Sequence, residues 1–595
     1  MLEKVLKREQ TEATLDVVSP NSNGEFSPEI SKGSSSGDDN SSNVPDQNRG
    51  FFSKFLDQYK PYQFESLDPN LTAAERQAII DADTPMARAL KTRHIKMMAI
   101  GSCVGTGLFI GTGSALKTGG PAGILIGWAI VGVSIYCVVQ ALGELAVAFP
   151  IPGAYVEYNS RFISRSWGFA VAWNIALQWF VVMPLELVAA SLTIKYWNDD
   201  VSPAAWVCIF YAVIFCIHMF FTQAFGETEF ICSTIKIVAT IGFILFGIIY
   251  NAGGVSGHGY IGGKYFYNPG AFANGFKGVC SVFVTAAFSF SGTELTGLTA
   301  AETPNPRKSL PSAIKQVFWR ILFFYFICLL MIGLLVPYND TGLLGSTGGK
   351  KASPFVLAIQ QAGVKGLPSV FNAVIMIAVF SVANAAVFAC SRTVNSIAQQ
   401  GFAPKIFCYI DRRGRPIVAV ITTLIVGLLC FLAASKYEET IFNWMMAISG
   451  LCSIFTWGSI CFCHIRFRRA LAVQGHSIKE LAYVANTGLI GSYFAIVIMA
   501  LILMAQFWVA LYPVGGKPDP STFFQAYLTV PVMIVSYILY FIIFREFKLL
   551  KTAEEIDITT DRRQFDIELL EQEIAEEKAL LASKPFYYRF YKFWC

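Results

Sequence analysis

The sequence predicts an all-α integral membrane protein of about twelve transmembrane helices, arranged as a five-plus-five inverted repeat with discontinuous helices 1 and 6. Three observations predict it. The chain of 595 residues is 54% hydrophobic and only 15% charged, against about 25% charged in soluble chains, and its mean hydropathy is +0.49. Apolar runs near the ~20 residues that span a bilayer recur from Ile95 to Phe544. Two of them, the first and the sixth, are broken by glycine and polar residues at matching places in two groups of five. That pattern marks an inverted repeat with a binding site near the membrane midplane.

Taken in order, hydropathy places spans at 95–117, 121–148, 167–194, 204–223, 230–250, 278–301, 312–336, 367–398, 416–434, 440–464, 487–512 and 523–544. Residues 1–94 precede them as a tail with no apolar h-region, so no cleaved signal peptide is expected. Its stretch "SPNSNGEFSPEISKGSSSGDDNSSN" has the composition of a disordered segment, and Lys32, Lys54 and Lys60 are accessible there for modification. Residues 545–595 form a second tail. Leu569, Leu570, Ile574, Leu580 and Leu581 approach a helical stripe, and the closing "FYYRFYKFWC" suits contact with membrane lipids. Arginines concentrate in "NSRFISRS", "TPNPRKSLPSAIK", "DRRGRP" and "HIRFRRAL", which are inner loops if both termini are cytoplasmic. One inner loop, "TQAFGETE", has no basic residue.

The first break is "MMAIGSCVGTGLFIGTGSAL" and the second is "FSFSGTELTG", Phe288 to Gly297. Within hydrocarbon every backbone N–H and C=O needs a partner, so such breaks survive only inside protein or beside a cavity. A half-helix starting after Thr106 offers unpaired N–H groups and a positive dipole end to a carboxylate, which selects Gly105, Thr106 and Gly107. A half-helix ending near Phe288–Ser291 offers carbonyls to an ammonium, which selects Phe288, Phe290, Ser291, Gly292 and Thr293, with Phe290 as a lid. Close helix packing on glycine faces is the competing reading of the first break.

Charges inside hydrocarbon cost about 2.5–3.5 kcal/mol each and need a reason. Glu144, Glu186, Lys236 and Glu294 stand out. Lys236 either snorkels to the cytoplasmic surface or supplies an ammonium near the first break. Glu294 either carries a proton or gates beside the ammonium site, or holds the break in shape. Asn174 and Gln178, one turn apart, either face the side-chain pocket or join helices. His218 reads as packing. The fourteen cysteines lie mostly within apolar runs, for example Cys137, Cys216, Cys328 and Cys430, and no CxxC occurs. The net charge of +5 gives no reason to expect nucleic acid. Neither a P-loop nor a catalytic or metal-ligand set is present, so no cofactor and no enzyme activity are expected.

The motifs "VGTGLFIGTGSAL", "ALGELAVAFPIPGAYVEY", "KGVCSVFVTAAFSFSGTEL", "ETPNPRKSLP", "ACSRT", "IFTWGSICFCHIRFRRAL" and the terminal "FWC" resemble the fungal amino acid permeases of the amino acid–polyamine–organocation superfamily, most of all the general amino acid permeases of yeasts. The resemblance runs from about Leu67 to Cys595. It implies a LeuT-like fold and import of amino acids together with protons across the plasma membrane, with passage through the secretory and endosomal membranes. It also implies proton coupling at Lys236 without sodium, a cation-equivalent site completed by Asn384 and Ser391, a lipid thioester on Cys595, and ubiquitin ligase adaptors as partners of the tails. Two departures bear on substrate range: Pro152-Gly153-Ala154 replaces the usual Ser-Gly-Gly, and Ser102-Cys103-Val104 replaces Gly-Ala-Ile. The alternatives are a permease of narrow range and a nutrient sensor on the same fold.

Overall fold

The computed structural model describes residues 57–61, 97, 101, 104–151, 153–197, 200–220, 222–298, 314–319, 321–343, 352–434, 437–562, 572, 575–576, 579–585 and 588. The chain falls into two units: Met1–Lys54, wholly outside those residues, and Phe55–Cys595, to which everything below belongs. The modification sites expected at Lys32, Lys54 and Cys595, and the departures at Pro152, Ser102 and Cys103, lie outside the described residues.

Among the described residues every regular element is helical, and the only strand-like contacts are the bridges of Pro61 with Asp411 and Leu343 with Ala352. Eight helices there are long and apolar enough to cross a membrane; a ninth forms if Pro520–Tyr527 and Thr529–Phe544, bent by 65°, count as one span. The first long helix opens on a π-helical turn, Gly107–Gly111, and leaves helical geometry at Gly120 (φ 75, ψ 173). We label its halves α1 (107–119) and α2 (121–148). The cause is local. Gly120 adopts a backbone region closed to other residues, and Pro121 suits the first position of the next helix. The corner is held from outside by the Ala122 N–H on the Ala271 carbonyl at 2.9 Å and the Asn274 amide on the Thr118 carbonyl at 2.8 Å.

A short α3 (Tyr155–Phe162) leads to α4 (Arg165–Ile194), whose first turn is capped by the Ser164 hydroxyl accepting from the Trp167 N–H. Next come α5 (Pro203–Phe220), α6 (Thr222–Asn251), α7 (Gly275–Phe290) and the single turn α8 (Leu295–Leu298). Further along are α9 (Ile314–Leu335), α10 (Pro354–Gln361), α11 (Leu367–Gln399) and α12 (Ile417–Gly427), the last prolonged by a 3-10 turn to Ala434. Then follow α13 (Glu438–Val473), α14 (Gly488–Leu511), α15 (Pro520–Tyr527) and α16 (Thr529–Phe544). α4 is buried along most of its length, whereas α14 turns Ile490, Leu501 and Met504 outward.

Two expected loops are helical instead. Residues 222–229, "TQAFGETE", belong to α6, so Glu229 is a buried helical residue rather than a loop carboxylate. The stretch "HIRFRRAL" continues α13, whose last turns carry Arg466, Arg468 and Arg469. Hydropathy ends a span where charge begins; tertiary partners for those charges let the helices run on. Cys216 is exposed on α5, unlike Cys137, Cys328 and Cys430, which are buried.

Candidate functional site

At the first break the glycines do two jobs. A Cβ on Gly107 would stand 2.5 Å from the Ser289 Cα, and one on Gly111 2.9 Å from a Thr285 methyl carbon. Gly107 and Gly111 therefore form a four-residue small stripe against which α7 lies at backbone distance. A Cβ on Gly105 would meet Val382 of α11 at 2.6 Å, and one on Gly101 would meet the Ser233 hydroxyl of α6 at 1.7 Å. The close-packing reading of these glycines and the broken-helix reading describe the same residues. The first turn of α1 opens at Thr106, and the Phe109 N–H reaches back to the Gly105 carbonyl at 3.0 Å. The N–H groups ahead of Phe109 are those that an α-helix start leaves without an intrahelical partner.

The second break lies between α7 and α8. Gly292 takes φ 93, the left-handed region that ends helices. Its carbonyls are less free than the sequence suggests. The Tyr325 hydroxyl donates to the Ser289 carbonyl at 2.7 Å, and the Thr293 hydroxyl to the Phe290 carbonyl at 2.6 Å. The Ser291 N–H is shared by the Ala287 and Phe288 carbonyls, each at 3.1 Å. Each carbonyl keeps a second lone pair. The Phe290 ring packs on Tyr325, centroids 4.3 Å apart, and beside Gly132 of α2. What faces the first break is Ser289 and Thr285, one turn apart on α7. Sequence reasoning missed both; the signal available was two small hydroxyl residues at helical spacing opposite the glycine pair.

Glu186, Lys236 and Glu294 lie around the breaks. The Thr106 hydroxyl donates to Glu186 on α4. Lys236 is wholly buried, so it does not snorkel; its ammonium donates to the Gly101 carbonyl at 2.7 Å and to the Ser381 hydroxyl at 2.9 Å. Ser381 in turn donates to Glu229 at 2.8 Å. The structure thus brings Ser381 to Lys236. Ser391 is bonded to its own helix at the Phe388 carbonyl, and the Asn384 carbonyl meets the His218 ring at 3.1 Å. Glu294 accepts from the Gln178 amide and the Trp457 indole, both at 3.1 Å, and Gln178 also donates to Ser291 at 2.8 Å. Asn174 joins helices, donating to the Cys452 carbonyl at 2.9 Å. Glu144 belongs to a separate cluster, accepting from Arg468 at 2.5 and 2.7 Å, His464 at 3.1 Å and the Ala485 N–H at 2.7 Å. Ala154 holds φ 36, a strained region for a residue with a Cβ and one that the glycine usual in the resembling family would occupy freely. Among the described residues no group of three or more His, Cys, Asp or Glu is placed to hold a metal.

Two helices broken where they abut, in an apolar bundle with buried charges beside the breaks, define a membrane transporter. The chain belongs to the amino acid permease family, whose model matches residues 94–552. It is 56% identical to the general amino-acid permease GAP2 of Candida albicans over 548 residues, 91% of this chain and 93% of that one. It is 54% identical to the general amino-acid permease GAP1 of Saccharomyces cerevisiae, covering 91% of each chain. The histidine permease of Saccharomyces cerevisiae is 47% identical over 86% of each chain. These relatives are permeases, not enzymes.

Proposed function

We propose that this chain is a plasma-membrane symporter that imports L-amino acids of broad range together with protons. The observation that carries the reading is the meeting of the two breaks at Gly107 and Ser289. An N–H-rich helix start and a carbonyl-rich helix end lie side by side, and together they read the carboxylate and ammonium that every amino acid shares. The names of the relatives at 56% and 54% identity support the broad range. The span count supports the LeuT-like fold. Eight long helices, one bent pair, the division of the first at Gly120, and the shorter helices Gly275–Phe290 and Ile417–Leu432 make twelve spans among the described residues. With that count and arginine-rich loops inside, both termini are cytoplasmic. Membrane lipids and tail-directed ubiquitin ligase adaptors complete the expected partners, the latter by family resemblance.

Coupling is assigned to Lys236, whose ammonium holds the Gly101 carbonyl just ahead of the first break. Glu186, tied to Thr106 and within electrostatic reach of Lys236, is the nearest opposite charge to that break. The test is uptake of a panel of labelled amino acids by cells lacking other permeases, with the proton gradient intact or collapsed. Several amino acids are expected to accumulate, and accumulation to vanish without the gradient. Lys236→Met is expected to reach the surface yet accumulate none. Entry of a single amino acid would establish the narrow-range reading, and entry of none the sensor.

A further inference from the structure

Glu229 is a carboxylate with no exposed surface, on the face of α6 that also carries Phe225, Ser233, Lys236 and Thr240, all buried. It lies seven residues before Lys236, about 10 Å along the helix, toward the end that begins at Thr222. One hydroxyl joins the two charges: Ser381 accepts from the Lys236 ammonium at 2.9 Å and donates to both Glu229 oxygens at 2.8 Å. One turn beyond Glu229, Phe225 stacks on Phe388 of α11, with centroids 4.5 Å apart and planes 9° from parallel. The Arg392 guanidinium lies 3.4 Å over the Phe388 ring, and the His218 ring lies 5.7 Å from Phe225. Among the described residues, Glu186 on α4 and Cys232 on α6 also lie within electrostatic reach of Lys236, and Glu227 stands two residues before Glu229 on α6.

We propose that Glu229 is the inward-side proton acceptor of the transport cycle, reached from Lys236 through the Ser381 hydroxyl and closed off by the stacked Phe225–Phe388 pair. The proposal rests on the symport reading and extends it. In the transfer, a Lys236 N–H proton passes to the Ser381 oxygen while the Ser381 proton passes to a Glu229 oxygen. An ammonium and a carboxylate become an amine and a carboxylic acid, and the serine is regenerated. No further reactant enters. Both products are neutral in a site where charge is costly, which favours the exchange once the Gly101 carbonyl moves away from Lys236. Separation of the aromatic pair then exposes the acid to the inner surface, where it ionises.

The full chain in liposomes separates this idea from the symport reading itself. The parent protein is expected to take up amino acid against its gradient when the outside is acidified, and to exchange labelled for unlabelled amino acid without any gradient. Glu229→Gln is expected to exchange like the parent while gradient-driven uptake slows by about a hundredfold, the lower end of what a positioned proton carrier contributes. Its dependence on pH should flatten, and Glu229→Asp should restore part of the rate. Ser381→Ala, a smaller change, should show the same split. Gradient-driven uptake equal to the parent's in either Glu229→Gln or Ser381→Ala overturns the relay and leaves symport standing. Loss of exchange together with driven uptake in both variants assigns the pair a structural role. A parent indifferent to the proton gradient overturns symport and the relay with it.

Discussion

Glu294 shows how a buried charge earns its place. Its two oxygens accept from the Gln178 amide and the Trp457 indole, donors on α4 and α13, while Gln178 also holds Ser291. The carboxylate therefore clamps the second break to two neighbouring helices. A neutral amide in its place turns an NH2 group toward one of two N–H donors and loses that bond. Glu294→Gln is expected to cost about 1–3 kcal/mol of stability, the range for a broken hydrogen bond to a buried charged group, and to leave the pH profile of uptake unchanged. Thermal unfolding in detergent and uptake across pH measure the two effects, and a flattened profile would make Glu294 a proton carrier instead. Glu144 illustrates the same rule away from the breaks. Arg468 grips it through two nitrogens, and His464, itself held by the Ser492 hydroxyl at 2.8 Å, supplies a third donor.

At the level of elements, glycine sets where helices stop and how near they lie. Gly120 and Gly292 end helices through positive φ, and Gly107 and Gly111 bring α1 onto α7. The first of these is the more sharply constrained. At Gly120 a Cβ would stand 2.7 Å from the Ala273 nitrogen, and ψ 173 with φ 75 lies in a region essentially reserved to glycine. Gly120→Ala is expected to destabilise the protein by at least about 1–3 kcal/mol and to lower the amount reaching the membrane, read by a melting curve and a surface label. A melting curve equal to the parent's would mean that the α1–α2 corner does not need this backbone conformation. Thr285 and Ser289 complete the contact from the other side: they pack where a larger residue would push the breaks apart, and the Ser289 hydroxyl is satisfied within α7, donating to the Thr285 carbonyl at 2.8 Å.

Over the whole molecule, segments from both tails tie down the loops. Tyr59 donates to the Met219 carbonyl at 2.9 Å, and the Arg412 N–H to the Lys60 carbonyl at 2.9 Å. Past α16, residues 545–562 run under α3 and α13. The Lys551 N–H meets the Ile163 carbonyl at 2.9 Å, Gln474 holds the Ala553 and Ile556 carbonyls, and Arg161 pairs with Asp561 at 2.7 Å. Burial pushes the Asp557 carboxyl up, but hydrogen bonds from the Thr560 and Thr559 side chains and N–H groups outweigh it and hold it at about 2. A depressed carboxyl stabilises above its unfolded value near 4, so this contribution is whole at neutral pH and fades only as pH falls toward 2. Because Asp561 stands in solvent and ion pairs open to solvent are worth only about 0.2–1 kcal/mol, Arg161→Ala is expected to loosen the strap without unfolding the bundle. Limited proteolysis should cut after residue 545 faster while uptake stays at the parent rate; an unchanged digestion rate would show that the other contacts suffice.

Most helix positions and both breaks are legible in the sequence, although residues 222–229 and 464–471 read as loops and fold as helix. Span length, the Thr118-Gly119-Gly120-Pro121 corner and the Ser291-Gly292 break are local matters of hydrophobic run and backbone stereochemistry, and the structure places α2, α11 and α16 within a few residues of their hydropathic limits at 148, 398 and 544. The residues that resembled a family also led to the right one. The partners of the buried charges come from distant parts of the chain. Ser381 reaches Lys236 across 145 residues of sequence, and Gln178 and Trp457 reach Glu294 across 116 and 163. Glu229 reads as a loop carboxylate until Ser381 and the aromatic pair surround it. A charge in hydrocarbon is tolerated through its partners, and partners supplied by other helices leave no trace in the local pattern of a single strand of sequence.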